Sequence, residues 1–72
     1  MGEREKLVES RIDLIKTSIN TFTDLMGRLP NFIQVDCFIN GALKEVNLTK
    51  NETRQIRKEI YNFCNKKVSC TS

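Results

Sequence analysis

Val8, Ile12, Ile15, Ile19, Phe22 and Met26 recur at alternating steps of four and three residues. At 3.6 residues per turn this spacing puts all six on one side of an α-helix, whereas in a strand the odd steps would scatter them over both faces. The spacing predicts a long helix from about Glu3 to Arg28, with Leu7, Leu14 and Leu25 widening its apolar stripe. Asp24 and Arg28, one turn apart, form a favourable pair near its end, and no proline interrupts the segment before Pro30. Such a helix spans roughly 39 Å, more than either following segment would cover. An uncovered stripe predicts pairing with a second copy along Val8, Ile12, Ile15, Ile19, Phe22 and Met26, in the manner of a short coiled-coil seam.

Size strengthens that expectation. A chain of 72 residues is a single domain, 1–72, and ordering it costs on the order of 100 kcal/mol of conformational entropy. Domains this small often lean on a disulfide, a metal or a second subunit, and an apolar content of 39% gives no compensating excess of core. The cysteines, Cys37, Cys64 and Cys70, are odd in number, their spacing matches no zinc or redox motif, and there is no histidine to complete a mixed metal site. No metal and no cofactor is therefore expected, and a homodimer is the remedy that remains.

The opening Met1-Gly-Glu-Arg-Glu-Lys6 is charged and has no apolar run behind it, which predicts a cytoplasmic protein whose thiols stay reduced and act as small hydrophobes. Two sequons, Asn47-Leu48-Thr49 and Asn51-Glu52-Thr53, carry little weight because such triplets arise readily by chance in an Asn-rich chain. Neither lipidation motif is satisfied, and no apolar run approaches membrane-spanning length.

Leu29-Pro30-Asn31 ends the first helix: the residue before proline is pushed out of the helical region, and proline suits a helix start. Asn31 is placed to cap a second helix with Gln34 as its partner three residues on. Phe32, Val35, Ile39, Ala42, Leu43 and Val46 then share one helical face. A β-hairpin competes, with Ile33 to Ile39 and Ala42 to Leu48 as strands about an Asn40-Gly41 type I′ turn. It would set Asp36 against Glu45, and Ala42-Leu43-Lys44-Glu45 is strongly helix-forming, so the helix is preferred. The third helix has the clearest start: Thr49 caps, Glu52 completes a capping box, and Leu48 precedes as a staple. Ile56, Ile60 and Phe63 form its buried stripe, with Cys64 and Val68 extending it, while 69–72 has no periodicity and reads as a frayed tail. The expected architecture is thus an all-α three-helix bundle, with helix–hairpin–helix as the alternative.

Net charge is +3, and its excess lies at the C-terminal end: Lys50, Arg54, Arg57, Lys58, Lys66 and Lys67 face only Glu52 and Glu59 after Thr49, whereas residues 1–30 balance. Lys50, Asn51, Arg54, Gln55, Arg57, Lys58 and Tyr61 gather on or near the outer side of the third helix. Arg and Lys bind phosphates or guanine edges, and Asn and Gln address adenine, so these side chains form a candidate face for a protein partner or a nucleic acid.

The run Val46-Asn47-Leu48-Thr49 before this basic helix resembles the helix-turn-helix of DNA-binding regulators: an apolar residue, a glycine-like turn, an apolar residue, then a polar cap. Asn47 stands where a left-handed residue is needed, and Ile56 where the second helix contributes to the core. The resemblance covers about 19 residues and implies that Thr49, Lys50, Asn51, Arg54, Gln55 and Lys58 face the DNA groove. Leu43 and Thr53 depart from the small and apolar residues usual at their positions.

Without histidine, a glycine-rich phosphate loop or a nucleophile with an adjacent base, no enzymatic chemistry is indicated. The expectation is a non-enzymatic regulatory protein docking on a larger protein as a homodimer, with Ile33, Phe38 and Tyr61 as contact residues. A helix-turn-helix DNA-binding regulator is the alternative.

Overall fold

A computed structural model describes the backbone of residues 2–71 and the side chains of residues 2–67. It contains three helices, α1 (Glu3–Met26), α2 (Phe32–Leu43) and α3 (Lys50–Thr71), and no strand among the described residues. The helical alternative for the middle segment is the one formed, because α2 runs unbroken through Asn40 and Gly41. Val35 and Ile39, one turn apart, are 2% and 0% exposed, so the helical register buries both apolar positions on one side.

The ends follow local chemistry. α1 stops two residues before the expected Arg28 because Gly27 enters the left-handed region at φ 72°, where its N–H donates to the Thr23 carbonyl at 2.8 Å. Arg28, now outside the helix, lies over the Phe22 ring at 6.0 Å instead of pairing with Asp24. Asn31 caps α2, its side-chain oxygen accepting from the Gln34 N–H at 2.9 Å. The reciprocal half of that box is missing, since the Gln34 Oε1 is buried without a hydrogen-bond partner. α2 ends at Leu43, and Val46, expected on its face, instead sits in the connection with its N–H bonded to the Leu43 carbonyl at 3.2 Å. α3 stays helical to Thr71, through the residues read as a frayed tail, while Ser72 lies outside the described residues.

α1 packs on both α2 and α3, which touch each other more lightly. Val8, Ile12, Ile15 and Ile19 from α1, Val35 and Ile39 from α2, and Ile56 and Ile60 from α3 form the buried core. Full burial of each such side chain contributes about 1.5–3 kcal/mol. Of the six residues expected to form a seam between two copies, four are instead covered by the chain's own helices. Phe22 is half-buried and meets Phe38 edge to face at 6.1 Å, leaving only Met26 of the six well exposed, at 55%. The overhang disappears because α3 has 22 residues to α1's 24 and lies alongside it in the same direction, Arg4 reaching Glu52 at one end and Lys16 reaching Phe63 further along. α1 spans the molecule's long axis of 37 Å.

Gly41 lies inside α2, and a Cβ added there would meet nothing within 4 Å. Gly41→Ala should therefore stabilise the fold by about 0.5–1 kcal/mol in urea denaturation, by limiting the unfolded chain and favouring the helix. A hairpin with a left-handed Gly41 would be destabilised by the same change.

Candidate binding face on the third helix

The start of α3 is held by reciprocal bonds. The Thr49 hydroxyl accepts from the Glu52 N–H at 3.2 Å, and the Glu52 carboxylate accepts from the Thr49 N–H at 2.9 Å, which forms the capping box. Arg4 then closes over it: its Nε donates to Glu52 Oε2 at 3.0 Å and one terminal nitrogen reaches the Asn47 carbonyl at 3.2 Å. The Arg4 bond, reinforced by the Thr49 N–H, lowers the Glu52 carboxyl from 4.5 to about 2. The same pair raises the Arg4 guanidinium further above its ordinary value. Forty-eight residues separate the partners, so no local pattern announces this junction of α1 with the α2–α3 connection.

Of the seven side chains singled out on α3, the structure leaves five outward: Lys50, Asn51, Arg54, Gln55 and Lys58 are all exposed. Arg57 and Tyr61 do not belong to that face. Arg57 donates to Asp36 Oδ1 at 2.7 Å and to Asn40 Oδ1 at 3.3 Å, while the Tyr61 hydroxyl donates to the same Asp36 oxygen at 3.1 Å. They tie α3 to α2 and are engaged within the fold. Burial, and then the Asp36 bond, push the Tyr61 phenol above its usual range. Further along α3, Cys64 is free and half-buried, and burial raises its thiol, which weakens it as a nucleophile.

Charge along α3 is segregated by side. Both of its acids turn towards α1: Glu52 is held by Arg4, and Glu59 lines a shallow open groove with Glu5, Glu9 and Asp13. The exposed cations Lys50, Arg54 and Lys58 follow a spacing of four residues along the outer side, with Asn51 and Asn62 exposed beside them. Asn62 extends the face beyond the residues picked from sequence; the four-residue period was the signal that could have found it. Gln55 sits at the border, lining the groove while remaining exposed.

The connection departs from a helix-turn-helix. Six residues, 44–49, separate α2 from α3, and no non-glycine residue among those described has positive φ, so Asn47 does not supply the left-handed turn. Arg4, bonded to its carbonyl, occupies the space beside that turn. Ile33 is 62% exposed, whereas Phe38 is half-buried against Phe22. Among the described residues no three His, Cys, Asp or Glu side chains are grouped to hold a metal, and no helix is long and apolar enough to cross a membrane. Compared with protein-family models, curated proteins and solved structures, the chain matches none.

Because Glu52 titrates lower in the folded than in the unfolded chain, its contribution is complete above about pH 4.5 and is lost as pH falls towards 2. Glu52→Gln should lower the melting temperature at pH 7, and the gap to wild type should close between about pH 4.5 and pH 2. A gap that stays constant with pH would mean that the carboxylate charge contributes nothing.

Proposed function

We propose that this chain is a small, non-enzymatic binding protein that docks on an acidic surface of a larger protein through the outer side of α3. The carrying observation is the row Lys50, Arg54 and Lys58, exposed with Asn51 and Gln55 while both acids of the helix face α1. Cations on a rigid helix attract an acidic partner and accelerate encounter, and the neighbouring amides give hydrogen bonds that select among such partners. The free thiols Cys37 and Cys64 suit a reducing, cytoplasmic setting.

A DNA-binding regulator is the second reading, favoured by the mixture of Arg54, Gln55 and Asn51 on this same side, which suits phosphates and base edges. The six-residue connection without a left-handed residue counts against a helix-turn-helix geometry and so supports preferring the protein partner.

Arg54→Glu with Lys58→Glu reverses two exposed charges without touching the core. With the protein as bait in a cell extract, this double variant should lose the specific partner by tenfold or more while its thermal melt stays close to wild type. Retention of the same partner by the double variant would overturn the assignment of the face. Binding of wild type to random duplex DNA with a steep inverse dependence on salt, abolished in the variant, would instead select the DNA reading.

A further inference from the structure

Two core stripes run past the point where the fold covers them. Met26 continues the line Val8, Ile12, Ile15, Ile19, Phe22 on α1, and Phe32 begins the line Val35, Ile39 on α2, yet Met26 is 55% and Phe32 71% exposed. Their neighbours Leu25 and Ile33 are 79% and 62% exposed. Among the described residues, four of the five large apolar side chains left outside thus lie within residues 25–33, flanking the α1–α2 connection at one end of the bundle. The fifth is Leu14, 48% exposed.

We infer that this end is a homodimer interface, closed in solution by the same end of a second copy. Four of the six α1 seam residues are covered within the chain, whereas Leu25, Met26, Phe32 and Ile33 around the α1–α2 connection are exposed and available. Exposures of this size leave on the order of 500 Å² of apolar surface per copy, at the upper range for the largest patch on a monomer. Two-fold pairing removes on the order of 1,000 Å² in total, the size at which a specific interface begins. A second copy also supplies what each copy lacks: the core cluster of eight buried aliphatic side chains among the described residues is small for a chain of 72, and apposed apolar ends extend it. Such a contact is isologous, with Met26 and Phe32 of each copy meeting the corresponding end of the other. It leaves the outer side of α3 free and does not depend on the function proposed for that face.

Sedimentation equilibrium and thermal melts of the full chain from about 5 to 500 μM test this directly. Wild type should pass from monomer to dimer over that range, with Tm rising as concentration rises. Met26→Glu with Ile33→Glu, both at exposed positions, should raise the dimer dissociation constant by 100-fold or more and make Tm independent of concentration, with helical circular dichroism retained. Arg54→Glu with Lys58→Glu should leave dimerisation unchanged, which separates this surface from the face on α3. A wild-type monomer at every concentration would overturn the proposal, as would a dimer that survives Met26→Glu with Ile33→Glu intact. If the monomer captures a cellular protein that this variant loses, the end belongs to a different partner and the homodimer is likewise overturned.

Discussion

Everything in this molecule hangs on α1 burying one side against two helices at once. Ile15 and Ile19 are 1% and 0% exposed, and no other helix contacts both of its neighbours so fully. A 24-residue amphipathic helix gains little from propensity in water and owes its stability to the apolar side it removes from solvent. α2 and α3 touch each other lightly, so each is held mainly through α1. A loss of packing at Ile15 or Ile19 would release both.

Polar contacts add direction to this apolar core. Arg4 with Glu52 joins the starts of α1 and α3, and Arg57 and Tyr61 with Asp36 join the middle of α3 to α2. Exposed ion pairs are screened by solvent and contribute little to stability, so neither junction holds the fold by itself. Their effect is on register: Asp36 of α2 meets both Arg57 and Tyr61 of α3, and Arg4 and Arg57 are each paired with an acid. What remains outward on α3 is therefore a selected subset of its positive charge.

Most of the core was legible in the amino-acid sequence. The 3–4 spacing of Val8 to Ile19, the proline at 30, the Asn31 cap and the Thr49–Glu52 box are local signals, each acting within one or two turns, and each appears where those signals put it. Helix against hairpin for 32–48 was less legible, because Asn40-Gly41 suits a turn and the deciding contacts, Val35 and Ile39 against the other helices, are distant in sequence. The outward five of the candidate face were readable from helical period, whereas the removal of Arg57 and Tyr61 depended on Asp36, 21 and 25 residues away. Asn47 illustrates the opposite error: its residue type permits a left-handed turn, but a six-residue connection relieved the need for one.

The sequence by itself determined that the first and third segments make amphipathic helices, where they start, and that positive charge collects on the third, because periodicity and capping act over a few residues. Only the tertiary structure decided which apolar residues become core and which charges stay free. Those outcomes depend on pairs brought together from across the chain, Arg4 with Glu52 and Arg57 with Asp36, and on α3 lying beside α1 to cover a stripe that otherwise would have faced another molecule.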